Sequence, residues 1–375
     1  MEYYSHHPAW VEIDLEQLRK NLSIVRQYLG KTLYCLAVKS DAYGHGLCRV
    51  GKIAEEMGVD YLAVAHLQEG LVLRQAGVKL PILVLGAIHE DQIPYLIDSD
   101  LEFTISSKFK AELVYKKALK KRCRVHLEVD IGMHRTGVRP HTARELFQYM
   151  DSFDCFEIVG IYSHLPKAAY PEDPLTRKQI ALFKELLNAP PFQGKKLIRH
   201  IANSKAVVHF PESHLDMVRP AMLTFGYESF LSVKPCFSLK AKVSYFKVVE
   251  PDSSISYGYS FTTSKKSRIV TVPVGYGDGY CRSLSNRGSV LIRGNRFPIV
   301  GTICMNQFMV DIQEREVHPE DEVVLIGSQG EEEISLMEFA ELCGTIPYEV
   351  LCLFSGKLPR KYVEEKYVDR NFLLR

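Results

Sequence analysis

Lys39 closes an apolar run, LYCLAVK (33–39), and opens a glycine-punctuated loop, SDAYGHG (40–46). An amine at the tip of an apolar strand is desolvated on one side, which lowers its pKa and frees its lone pair for Schiff-base chemistry. The same placement suits a lysine whose stem covers a barrel rim while its ammonium reaches water. The side chain alone does not choose between these. Arg135, in VDIGMHRTG (129–137), poses a similar choice. A guanidinium there either grips a carboxylate with two parallel hydrogen bonds or pairs with nearby Asp130.

Elements able to hold such groups in place are visible along the first two thirds of the chain. Apolar runs of strand length occur at 33–39, 61–66, 81–87, 101–106, 124–130, 157–165, 197–203 and 217–226. Continuous runs such as LAV and ILVL suit parallel strands covered on both faces. Amphipathic segments at 48–58, 107–121 and 175–189 lie between them, and Asp14 or Asn21 is placed to cap an earlier helix. Eight such strands over roughly 200 residues predict an α/β fold, a (β/α)8 barrel of the TIM type, with catalytic groups at the C-terminal strand ends. A doubly wound sheet is the competing arrangement.

After Glu228 the texture becomes β-rich, with turns such as RGNR and one helical segment at 334–344. This predicts a second, mostly β domain of antiparallel strands. The expected division is an N-terminal strand within 1–12 that joins the β domain, a barrel over 13–230, and the β domain over 231–375.

The net charge of the 375-residue chain is +2, with 46% hydrophobic and 25% charged residues. That balance gives no charge-based reason to expect a nucleic acid or membrane surface as partner. No stretch approaches the about 20 apolar residues of a membrane span, and the N-terminus lacks a signal-peptide pattern. Nine scattered cysteines without a CxxC pair argue against a zinc site or disulfide framework, so no metal and a reducing, cytoplasmic setting are expected.

AVKSDAYGHG (37–46) closely resembles the cofactor segment of alanine racemases, usually written AVKADAYGHG, and differs only at Ser40. The resemblance extends along the chain through VDIGMHRTG, HIANSKA (200–206), VRPAMLTFGY (218–227), SSISYGYSF (253–261), GYGDGY (275–280) and PIVGTICMNQ (298–307). It implies a racemase that binds pyridoxal 5'-phosphate as a Schiff base on Lys39 and interconverts L- and D-alanine, supplying D-alanine for peptidoglycan. It further implies a homodimer with active sites shared between subunits and a small amino acid as substrate.

The same resemblance assigns roles residue by residue. Lys39 and Tyr257 are the two catalytic bases, Tyr257 coming from the other subunit. Tyr43, Ser204 and the backbone amides of Ala221 and Met222 bind the cofactor phosphate. Arg219 faces the pyridine nitrogen, and because arginine only donates, that nitrogen stays unprotonated. Arg135 and the backbone of Met305 receive the substrate carboxylate. A phenol with a pKa near 10 needs positive charge nearby to act as a base at neutral pH, and His164, also at the cofactor, and Arg135 are the candidates.

Four positions depart from the family pattern. Glu128 stands where many relatives have a lysine that becomes carbamylated, and is expected to position Arg135 directly or through water or an anion. Asn306 replaces the aspartate of CMDQ, SHLPKAAY (163–170) replaces a common THFATAD stretch, and Gly356 stands where several relatives have a tyrosine. These leave open a broad-specificity or serine racemase on the same scaffold. A non-catalytic pyridoxal phosphate carrier is a further reading, but such proteins lack a β domain. A decarboxylase of this fold would carry a cysteine-bearing segment and an HxGS loop, and neither is evident.

Overall fold

The computed structural model describes residues 6–364. The first strand, β1 (Ala9–Asp14), leads into a helix over Leu15–Leu29. Eight parallel strands then follow: β2 (Leu33–Ala37), β3 (Tyr61–Val64), β4 (Ile82–Val84), β5 (Glu102–Ile105), β6 (Cys123–Glu128), β7 (Phe156–Tyr162), β8 (Ile198–Asn203) and β9 (Met217–Arg219). They close in sequence order into a barrel, with Leu33 of β2 opposite Met217 of β9. All eight apolar runs therefore become barrel strands. In β3, β4 and β5 every residue is buried, because one face fills the barrel and the other lies under helices.

The helices start where short polar side chains satisfy free backbone amides. Ser107 Oγ accepts from Lys110 N at 3.2 Å, and Asp173 accepts from Leu175 N at 2.8 Å. Asp14 does the same for Gln17 N at 2.8 Å. Asn21 does not cap: it is fully buried and exchanges two hydrogen bonds with the Lys234 backbone. The last run, MVRPAMLTFG, is extended only over Met217–Arg219. Pro220 has no N–H to give to a ladder, and the chain then turns, with Phe225 N donating to Ala221 O at 3.0 Å.

The chain separates into two compact units. Among the described residues, one comprises 19–42 and 46–235 and contains the barrel; the other comprises 6–18, 43–45 and 236–364. In the second unit β1 pairs antiparallel with β10 (Phe237–Lys242) and parallel with a late strand, Arg360–Val363. The remaining strands of that sheet run antiparallel, in hairpins such as Ser289–Ile292 with Asn295–Val300. Two helices rather than one interrupt the set. Leu336–Cys343 matches the expected segment, and Pro347–Leu353 is additional. With seven residues and proline at its start, the latter is too short to show a clear helical period. No helix among the described residues is long and apolar enough to cross a membrane.

Gly226 illustrates how tightly the barrel unit is closed. Its φ is +92°, and a Cβ there would lie 1.9 Å from the Lys234 carbonyl oxygen. Both the left-handed backbone and the clash forbid a side chain. Gly226→Ala is expected to cost roughly 3 kcal/mol or more, read as a lower urea midpoint at an unchanged slope; a change below 1 kcal/mol would contradict the packing described.

Candidate active site

Lys39 follows Val38 at the C-terminal end of β2 and is half-buried. The next four residues, Ser40 to Tyr43, all have φ between 52° and 57°, a left-handed turn made by L-residues. That geometry costs roughly 1–2 kcal/mol per residue, so the surroundings must impose it. On the barrel side Glu69 does so. One carboxylate oxygen accepts from Ser40 N at 2.5 Å, and the other from Ala65 N and His66 N at the end of β3. Asp41 Oδ1 accepts from Leu47 N at 2.7 Å and starts the next helix. The turn releases the chain from the strand direction immediately after Lys39.

Arg219 ends β9 and is buried. Nη1 donates to His200 Nδ1 at 2.6 Å and Nη2 to the Ser163 carbonyl at 2.7 Å, while the guanidinium lies over the Tyr162 ring. Burial lowers its pKa from the usual arginine value, yet the group remains a cation with donors to spare. Ser204, first in its helix, accepts from Ala221 N at 2.8 Å and Leu223 N at 3.4 Å. Its hydroxyl therefore accepts twice from the backbone and has its own hydrogen left to give. Of the two amides expected to bind phosphate, Ala221 is already committed to Ser204; Met222 lies buried beside it.

Asp130 does not pair with Arg135. Its Oδ1 accepts from the backbone N–H groups of Gly132, Met133 and His134, and its Oδ2 faces His134 Nδ1. Burial opposes its charge, but the Gly132 and His134 contacts outweigh that and hold its pKa below the usual carboxylate range. Arg135 itself is exposed. It shares a cavity of about 10 Å³ with Glu128, Ser163 and His164, close to the lower limit for one water.

Glu128 is buried and points inward, not out of the barrel. Thr136 donates to its Oε1 at 2.8 Å, and Oε2 is without a partner. Burial raises its pKa, and Thr136 and Arg135 oppose the rise only in part. As pH falls through that raised value, Glu128 gains a proton and loses its attraction for Arg135. Glu128→Gln, uncharged throughout, is expected to raise KM about tenfold, or about 1.4 kcal/mol, and to remove one acid-side inflection from the kcat/KM profile. An unchanged KM and profile would exclude a role for the charge.

His164 follows β7 by two residues. Burial and the charges of Arg219, Arg135 and Lys39 lower its pKa to about 3. It is thus neutral at physiological pH and does not supply positive charge to a phenol, contrary to the expectation for it. Of the two candidates only Arg135 carries charge.

The second unit holds the remaining expected residues. Tyr43 is buried edge-on to Tyr348. Tyr257 sits on a short turn and is 74% exposed, and Met305 is exposed as well. Three motif segments meet around them. Ser256 Oγ donates to Thr302 O at 2.5 Å, Thr302 Oγ1 to Tyr257 O at 2.9 Å, and Gly277 N to Met305 O at 2.8 Å. A Cβ on Gly275 would lie 2.2 Å from Cys304 O, which requires glycine in GYGDGY. Asn306 is exposed, and Gly356 occupies an open turn at φ +70°.

The sequence model described as "Alanine racemase, N-terminal domain" matches residues 13–229, and "Alanine racemase, C-terminal domain" matches 236–362. This chain belongs to the alanine racemase family. It is 40% identical to an alanine racemase of Halothermothrix orenii, covering 95% of this chain and 97% of that one. Identity to an alanine racemase of Methanococcus maripaludis is 38%, covering 95% and 99%. Its fold matches the alanine racemase structure of Clostridium difficile 630 with a TM-score of 0.90, at 35% identity and 96% coverage of both chains. As a member of the alanine racemase family it is an amino acid racemase, and its reaction is the interconversion of L- and D-alanine.

Some residues of the barrel site were not marked in the sequence reading. His200 lay inside a quoted motif without a role, and Glu69, Glu102, His126 and Ser163 were not singled out. The available signal was the polar residues spaced by two inside apolar strands, as in Glu102 and Thr104 or His126 and Glu128.

Proposed function

We propose that the barrel mouth binds pyridoxal 5'-phosphate on Lys39, and that Lys39 and Tyr257 exchange protons at opposite faces of the substrate Cα. The observation that carries this is the placing of Lys39, Arg219 and Ser204 at the C-terminal ends of β2, β9 and β8, with spare donors on the latter two. Those donors fit the cofactor's two acceptor ends. Ser204 and the Met222 amide suit a phosphate, and Arg219 suits a pyridine nitrogen that it leaves unprotonated. When bound, pyridoxal phosphate supplies the electron sink for the pair left on Cα.

The chain's own groups do the rest. Lys39 Nζ takes or returns the proton on one face, and the Tyr257 hydroxyl does so on the other. Arg135, carrying the only charge of the two candidates, holds the substrate carboxylate, assisted by the Met305 backbone. Racemisation requires two bases because one base on one face returns the proton where it took it.

The exposure of Tyr257 and Met305 supports a homodimer in which residues 13–230 bind the cofactor and 231–375 carry Tyr257 to the partner. The nine cysteines, none of them in a disulfide, support a cytoplasmic setting, with D-alanine supplied for peptidoglycan. The test is visible absorbance of the purified protein after addition of pyridoxal phosphate, with alanine, serine and larger amino acids assayed together. Preference for alanine with bound cofactor is expected. Turnover without cofactor absorbance would refute the reading.

A further inference from the structure

A polar column runs through the barrel interior behind Arg219. His200 Nε2 lies 2.9 Å from His126 Nδ1, and His126 Nε2 lies 2.8 Å from Glu102 Oε2. Arg124 reaches the other oxygen of Glu102 at 2.5 Å. Glu102 is 1% exposed and both imidazoles 0%. Arg219 stands at the C-terminal end of β9, the imidazoles midway along β6 and β8, and Glu102 at the start of β5. The column therefore joins the site face of the barrel to its opposite end.

Its hydrogen bonds have only one consistent direction. Arginine donates and cannot accept, so His200 Nδ1 is an acceptor and its proton sits on Nε2. That proton is given to His126 Nδ1, which must accept, so the His126 proton sits on Nε2. It is given in turn to Glu102. A protonated Glu102 would leave His126 accepting at both nitrogens, which a neutral imidazole cannot do. Burial and the adjoining Arg219 charge likewise hold His200 neutral.

Gly160 is shaped to this arrangement: a Cβ there would lie 2.5 Å from His126 Nδ1 and displace the ring. Barrel interiors are ordinarily filled by branched apolar side chains, and burying a carboxylate and a guanidinium is costly.

We propose that Glu102 is a remote positioning residue for the racemase reaction, acting through a one-way hydrogen-bond chain, Arg219 to His200 to His126 to Glu102. Donor-only Arg219 at one end and the acceptor-only carboxylate at the other impose the same direction on both tautomers. The carboxylate thereby holds the orientation in which Arg219 spends one N–H and keeps its other donors for its ligand. Only the last step rests on the proposed function, in which that ligand is the pyridine nitrogen.

The test is nitrogen-15 NMR of the histidine rings in the full-length protein, before and after pyridoxal phosphate is added, alongside kinetics. In the unaltered protein both His126 and His200 are expected as Nε2–H tautomers. Glu102→Gln keeps the size of the group but can donate as well as accept. An amide that can also donate to His126 Nε2 makes the reversed tautomers, Nδ1–H at both rings, accessible at the expense of the Arg219–His200 bond. A mixed tautomer population is therefore expected, with kcat lowered about tenfold, the scale typical of a residue that orients a site group, and little change in KM. Gly160→Ala, which dislodges His126, is expected to do the same.

An Nδ1–H tautomer at either ring in the unaltered protein would overturn the chain without recourse to any variant. Reordered tautomers with unchanged kcat would overturn the positioning role. Tautomers reordered by Glu102→Gln, beside a histidine spectrum that pyridoxal phosphate leaves unmoved, would support the chain and reject its link to the cofactor, thereby locating the failure in the functional reading.

Discussion

Lys39→Ala is expected to lower alanine racemisation by about 10³-fold or more and to abolish the absorbance of covalently held pyridoxal phosphate. Both losses come from one nitrogen. In the proposed reaction Lys39 Nζ anchors the cofactor and moves a proton on its own face, so no neighbouring group replaces either task. His164, half-buried and with its pKa lowered to about 3, is a poor base, and Arg135 and Arg219 stay protonated and take up no further proton. The left-handed turn after residue 39 is held by backbone contacts to Glu69 and by Asp41, so the substitution should leave the barrel intact. Methylamine added to the variant is expected to restore part of the proton transfer by entering the space left by the side chain. Racemisation within tenfold of the unaltered protein would remove Lys39 from the mechanism.

Tyr257→Phe is expected to cost about 10²–10⁴-fold in racemisation, while cofactor binding survives. The distinguishing measurement is solvent exchange. With only one base left, α-deuterium should still wash into one alanine enantiomer far faster than racemisation proceeds. Equal slowing of exchange in both enantiomers would argue against opposite-face bases.

The same variant tests the shared dimer. In a mixed dimer of Lys39→Ala and Tyr257→Phe chains, one site carries both defects and the other carries neither. An equal mixture allowed to exchange subunits should recover about one quarter of full activity. No recovery would place both bases within one subunit.

The legible part of this protein was whatever leaves a one-dimensional trace. Eight apolar runs foretold eight barrel strands because strands covered on both faces need nearly continuous apolar residues. The family was legible because ten consecutive residues, AVKSDAYGHG, carry the resemblance. Other features have no such trace. The Pro347–Leu353 helix is too short to show a period, and Pro220 ended a strand that composition alone extended.

The charge state of His164 depends first on its burial and then on three cations contributed by distant segments, so no local window reports it. Glu102, His126 and His200 are polar residues within apolar strands far apart in the chain; only closure of the barrel makes them neighbours. Glu128 lay between these cases. Its departure from the family pattern was visible, whereas its bare oxygen and its bond to Thr136 belong to the folded chain.

The turn from Ser40 to Tyr43 has a consequence for chemical synthesis. Those four residues hold backbone angles that mirror the preferred angles of L-amino acids, and are therefore the natural angles of D-amino acids. A semisynthetic chain with D-serine at position 40, where the side chain faces solvent, should unfold at higher temperature than the natural chain. The same inversion in the strand before it should be ruinous. An enzyme whose substrate exists in both hands thus contains one short stretch of backbone that would itself be more comfortable with the opposite hand.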